Sequence, residues 1–256
     1  MKQVLLATLL ATSTLYAVEE TTAPLDISLG ELSGSVGVYS EYLFRGLKQT
    51  AGDPALQANI DYTLDNGLYV GAWISNTKWT EDGGYMNNND VETNIYAGYA
   101  DTFGDTGIGY DVGVLQYWFP GNTTNGQSGT DTTELYAGVN KDVFGTNIAL
   151  KYSHAITEDV FGIGNASGSD YTEINWTVPV TEQLTAIAHV GRSTFDGQGN
   201  GVYDYTDSKV SLEYAYTDAV TVGAGYSVTN ASEANWTIKN EYLGESQALA
   251  WLTYSF

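Results

Sequence analysis

From residue 31 onward, apolar and polar positions alternate one by one in stretches separated by clusters of Gly, Asn, Asp and Thr. Alternation with period 2 puts every second side chain on one face of a strand. Many of the stretches are near the ~9–11 residues of a tilted membrane-crossing strand. The pattern predicts strands over 31–46, 55–64, 68–79, 91–103, 108–120, 132–143, 146–157, 171–180, 184–195, 205–216 and 220–229. A last strand ends at Phe256, with Ala248, Ala250, Leu252, Tyr254 and Phe256 on one apolar face and Trp251, Thr253 and Ser255 on the other.

The breaks are of two kinds, and they alternate. Tight turns at 65–67, 104–107, 144–145, 181–183 and 217–219 take turns with polar loops at 47–54, 81–90, 121–131, 158–170, 196–204 and 230–244. Short turns on one side and long loops on the other are the habit of transmembrane barrels. They imply an even strand count with both termini on the short-turn side. The expected fold is all-β: a transmembrane antiparallel up-and-down β-barrel of about 12 strands. A soluble β-sandwich accounts for the short strands but not for the one-sided loop lengths.

Both ends of the chain agree. The closing aromatic Phe256, preceded by Leu252 and Tyr254, resembles the C-terminal targeting strand of bacterial outer-membrane barrels, which engages the barrel assembly machinery. At the other end, Met1 and Lys2 start a positive segment, followed by an apolar run to Ala11 and small residues up to Ala17. That run is too short to span a membrane and reads as a signal peptide over 1–17. A short periplasmic tail over 18–30 then precedes the barrel, 31–256, and the expected location is the outer membrane of a Gram-negative cell. Outer-membrane lipid and lipopolysaccharide would be its surroundings.

Composition narrows the chemistry. Gly 29, Tyr 20 and Trp 6 with only four Pro suit strands, tight turns and interfacial aromatics. Cysteine is absent, which removes disulfides and thiol metal sites. The formal net charge is -22, or -23 once Lys2 leaves with the signal peptide, so nucleic acid is excluded as a partner. The acidic loop at 81–90 lacks the ligand spacing of a calcium loop, and neither metal nor cofactor is expected.

Facing follows from charge, because Lys or Arg facing lipid at mid-membrane costs ~2–4 kcal/mol, and Asp or Glu somewhat less. In the first strand Val36, Val38, Tyr42 and Phe44 then face lipid, while Tyr39, Glu41, Leu43 and Arg45 face the lumen. The same test puts Gln57, Asn59 and Asp61 inside, with Glu92, Asn94, Asp111, Glu134, Asn140, Lys151, Glu173, Asn175, Lys209 and Glu213. Leu56, Ile60, Leu135, Val139, Ile174, Trp176, Leu212 and Val222 take the lipid side. His189 and Arg192 have opposite parity, so the facing of that strand stays open. Arg45 either sets a constriction or neutralises acids on adjacent strands. Some barrels carry Ser and His for lipid hydrolysis; here Ser193 shares a face with His189, and His154 falls near the outer rim, with no third residue identified.

Residues 42–50, reading Tyr-Leu-Phe-Arg-Gly-Leu-Lys-Gln-Thr, precede Asp53-Pro54-Ala55-Leu56-Gln57 and Asp61-Tyr62. With 67–76, Gly-Leu-Tyr-Val-Gly-Ala-Trp-Ile-Ser-Asn, and 91–99, Val-Glu-Thr-Asn-Ile-Tyr-Ala-Gly-Tyr, this resembles the TorF family of porin-like proteins, a proteobacterial family of unknown function. The resemblance is strong over 40–100 and architectural beyond. It implies an outer-membrane channel and no particular substrate. The expected function is passive diffusion of small hydrophilic solutes with a preference for cations. A non-conducting structural or receptor barrel is the alternative, and a lipid hydrolase a more remote one.

Overall fold

The computed structural model describes residues 30–256. The signal peptide expected at 1–17, and the tail as far as residue 29, lie outside them. The alternation resolves into twelve strands: β1 (Glu31–Tyr39), β2 (Ala55–Thr63), β3 (Leu68–Asn76), β4 (Val91–Thr102), β5 (Ile108–Trp118) and β6 (Thr132–Val143). They continue as β7 (Thr146–Ala155), β8 (Asp170–Pro179), β9 (Leu184–Thr194), β10 (Tyr205–Ala215), β11 (Val220–Thr229) and β12 (Gln247–Ser255).

Each strand pairs antiparallel with its neighbours in sequence, and β1 pairs with β12 to close the barrel. At the seam Val36 lies opposite Tyr254 and Val38 opposite Leu252. Gly34 and Phe256 exchange backbone hydrogen bonds of 3.1 and 3.0 Å. Closure leaves no edge strand with unpaired N–H and C=O groups. Tight turns join β2 to β3, β4 to β5, β6 to β7, β8 to β9 and β10 to β11, and the long loops gather at the other end. Gly67 takes φ +86° in the first of these turns, where a side chain would be strained.

The barrel is inverted relative to a water-soluble one. Leu56, Ile60, Leu135, Ile174, Trp176 and Leu212 point outward and are exposed, as are Val139 and Val222. Inside lie Gln57, Asn94, Asp111, Glu134, Glu173 and Glu213, all buried. Polar outward groups sit near the ends of strands: His154, Asp170 and Arg192 near the long loops, Asp101 and Lys141 near the short turns. An apolar belt between two polar bands is what a bilayer stabilises, and water would not. Strand 9 is settled: His189 is inward and hydrogen bonded, and Arg192 is outward, 3.4 Å from Asp204.

Two expected strands run more than two residues too far. The first stops at Tyr39 rather than at 46, so Tyr42 and Phe44 do not face outward, and Glu41 and Arg45 do not belong to a strand. Tyr42 is buried inside the barrel. The third stops at Asn76, and Trp79 starts a single helical turn, Trp79–Asp82, that folds inward. The alternation continues past each strand because these loops also bury one side.

Ile174→Arg, in the middle of the outward belt, is expected to cost about 2–4 kcal/mol of unfolding free energy in lipid bilayers. His154→Arg, in the polar band, is expected to cost ~0–1 kcal/mol. Urea titration of the two variants checks the difference.

Candidate functional site

The segment from 40 to 54 leaves β1 and turns into the bore as a hairpin, Leu43–Phe44 against Leu47–Lys48. Its two turn residues, Arg45 and Gly46, both have positive φ, +48° and +78°. That is the type I′ geometry whose twist suits a two-residue hairpin. Glu41 holds the base of the loop: its carboxylate accepts the Thr50 N–H at 2.9 Å and also bonds the Thr50 hydroxyl and the Gly52 N–H. Glu41 therefore shapes the loop and does not line the passage.

The hairpin crosses the bore. Arg45 Nη1 and Nη2 donate to the two carboxylate oxygens of Glu134 on β6, at 2.9 and 2.8 Å. The guanidinium lies 4.7 Å from the Phe44 ring centroid and 4.2 Å from that of Tyr171 on β8. Gly46 packs against Asp207 of β10, with no room for a Cβ. The fork fixes the guanidinium in a plane that a lysine would not reproduce.

The rest of the wall is organised by tyrosines that bind carboxylates. Tyr96 OH donates to Asp61 at 2.5 Å, Tyr69 OH to Asp111 at 2.6 Å, and Tyr69 also bonds Tyr136. The Lys151 ammonium lies 4.3 Å from the Tyr136 centroid. His189 Nε2 is 3.0 Å from Asp207, and its Nδ1 is 2.8 Å from Asn175 and 3.5 Å from Glu173. Lys209 sits opposite His189 in the ladder. Gly98 lies opposite Tyr69 and Gly223 opposite Trp251, and a Cβ at either glycine would collide with the ring. Large rings can lie flat along the wall only because those positions are glycine.

The charge is lopsided. On β2 to β6 the inward charged residues are Asp61, Glu92, Asp111 and Glu134. The bases of the wall lie on β7 to β10: Lys151, His189 and Lys209, among Glu173, Asp207 and Glu213. Every expected lumen residue of the strands is inside, and Arg45 reaches the bore from the hairpin.

Residues 24–256 match a family described as a bacterial protein of unknown function (Gcw_chp). The chain belongs to that family. No curated protein matches it. Among solved structures, this Gcw_chp barrel is similar to the KdgM porin, with 9% identity over 88% of this chain and 99% of that one, and a TM-score of 0.57. KdgM in complex with disordered oligogalacturonate gives 9% identity, 88% and 98% coverage and 0.56. The NanC porin gives 12% identity, 88% and 99% coverage and 0.57. At such identities the likeness is one of fold.

Sequence reasoning missed Asp207, although it shares strand and parity with Lys209 and Glu213, and it missed the carboxylate-binding tyrosines. Part of the signal for the tyrosines was present: Tyr96 shares inward parity with Glu92, and Tyr136 with Glu134. Ser193 and His189 share a face but lie four residues apart on β9, about 13 Å at strand rise, so they do not form a nucleophile–base pair. His154 faces outward with Nδ1 2.7 Å from Asp170.

The outer end of the hairpin is latched by Lys48, whose ammonium bonds Glu241 and, at 2.7 Å, Glu245 of the last long loop. Burial opposes the Lys48 charge, but the hydrogen bonds from the two glutamates outweigh it and raise its pKa. The same bond lowers the pKa of Glu245. A raised base is lost only as pH rises through its folded pKa, and a lowered acid only as pH falls through its own. The latch therefore holds through the neutral range and weakens below the ordinary glutamate value of about 4.3. Amide exchange protection across 43–48 should fall below about pH 4 and stay level between about pH 6 and about pH 8.

Arg45→Ala leaves the Glu134 carboxylate buried without its cation and is expected to cost about 3–5 kcal/mol in urea unfolding. Adding Glu134→Gln should recover a clear part of that loss.

Proposed function

We propose that the protein is an outer-membrane porin-like channel that passes small hydrophilic solutes by diffusion and prefers cations. The observation that carries this is the bore: an acid-rich polar lining inside an apolar-faced twelve-stranded barrel, with one hairpin set across it. Asp61, Glu92, Asp111, Glu134, Glu173, Asp207 and Glu213 line it against Arg45, Lys151, Lys209 and His189. A cation entering a narrow passage loses part of its hydration, and carboxylates replace it. The Arg45–Glu134 pair marks the constriction, and Glu92 lies near it through Tyr42, whose hydroxyl is 3.2 Å from that carboxylate.

One similar structure is a porin holding oligogalacturonate, an acidic saccharide. The four acids of β2 to β6 would repel such a chain, so an anionic polymer is not the cargo we infer. The reading takes in the TorF likeness of residues 40–100, export through a cleavable signal, and insertion by the barrel assembly machinery into lipid and lipopolysaccharide. A second reading is a barrel that binds at its surface without conducting. The crossing hairpin favours it, because Phe44, Tyr117 and Phe161 pack together in the bore with ring centroids 4.9 to 5.4 Å apart.

Planar-bilayer recording under a KCl gradient separates the readings. The reversal potential should carry the cation sign and persist at ~0.15 M salt, because screening beyond about 8 Å acts on the outer loops more than on the lumen. Arg45→Ala should raise both conductance and cation preference, and Glu134→Gln should lower the preference. An anionic sign would reverse the selectivity, and silence in every variant would favour the surface-binding barrel.

A further inference from the structure

The long loops enclose a cavity of about 300 Å³ above the hairpin. Its walls are aromatic and come from distant parts of the chain: Phe44, Trp79, Phe161, Phe195, Tyr205 and Trp236. The rings around it meet largely edge to face. Trp79 and Phe119 cross at 85°, and Trp236 crosses both Tyr203 and Tyr205 at 77°. Edge-to-face contacts leave ring faces without a stacked partner, and a flat guest can supply one.

The charged groups at the cavity already have hydrogen-bond partners within the chain. Arg45 is paired with Glu134 at 2.8 Å, and Lys239 with Asp82 at 2.7 Å. Glu92 accepts from Tyr42 at 3.2 Å and from Asn94 at 2.9 Å. An anion entering here would lose water and meet the Glu92 carboxylate, whose neutral donors leave its charge in place. A cation would bring a second positive charge to Arg45, with no acceptor for the spare donors of that guanidinium. A guanidinium has five N–H donors, and Glu134 takes two, so Arg45 keeps donors for a neutral oxygen acceptor. The volume is at the lower end of the range for small-molecule sites.

We propose that this vestibule is a binding site for small uncharged aromatic compounds bearing an oxygen acceptor. The ring stacks between the aromatic walls, and the oxygen accepts from Arg45. The site stands whether or not the bore conducts, because binding is read without current.

The test is calorimetry on the full barrel in lipid nanodiscs, with empty nanodiscs subtracted and detergent absent. Methyl benzoate is the probe. Benzoate carries the same ring with a charge, benzyltrimethylammonium carries it with the opposite charge, and methyl α-glucoside is an uncharged saccharide. Methyl benzoate should bind at least about tenfold more tightly than any of the three, the scale of one lost polar or packing contact. Ile238→Trp, which fills the cavity from its wall, should weaken binding by at least about tenfold. In the wild type, which needs no variant to fold, the ester should show nuclear Overhauser contacts to tryptophan indole protons. Equal or tighter binding of the glucoside would make the site saccharide-selective and overturn the proposal. So would equal binding of either ion, an unchanged Ile238→Trp variant, or the absence of indole contacts.

Discussion

The structure depends on one constraint: in an apolar surround, every backbone N–H and C=O must find a partner within the chain. The β1–β12 ladder meets it. Without that seam the twelve strands would form an open sheet, and its two edges, Glu31–Tyr39 and Gln247–Ser255, would each present a row of unpaired groups. Closure also fixes parity, since a one-residue slip of a strand such as β5 or β6 would turn Asp111 or Glu134 outward. The alternation of residues and the ring of strands are two expressions of the same requirement.

A closed ring leaves an interior to fill, and here it is filled unevenly. Tyrosines on inward positions lie over glycines of the next strand and give their hydroxyls to carboxylates, so the acids of β2 to β5 are held by neutral donors. Neutral donors satisfy a carboxylate without cancelling its charge, and the wall keeps a net negative field. The bases of β7 to β10 interleave with acids, which leaves that side closer to balance. The hairpin joins the two halves: it starts beside β1, pairs with β6 through Arg45 and presses on β10 at Gly46.

The loops act as one body at the open end. Lys48 ties the hairpin to the last loop, Lys239 ties that loop to Asp82 of another, and Phe161 of a fourth loop touches Phe44. The aromatic cavity is a by-product of that assembly, since no single loop supplies more than a part of its wall. The charged lining of the bore and the aromatic cavity therefore sit at successive depths along one axis.

Strand number, the even count, the sidedness of the loops and the facing of the ladder residues could be read from the chain. Each follows from local period-2 alternation and from the cost of placing charge in lipid, and neither needs knowledge of distant partners. The alternation failed at residues 40–46, because a hairpin inside the bore has a buried side just as a strand does. Whether Glu41 and Arg45 stood on a wall or across the passage depended on partners at Thr50 and Glu134, the latter 89 positions away. His189 and Arg192 were undecided for a similar reason: both are polar, and only Asp207 and Asn175 drew His189 inside. What the sequence determined by itself is the inside and outside of most strands, because that is a property of neighbours along the chain. What only the tertiary structure decided is which charges meet across the bore, because that distance is set by closing the ring.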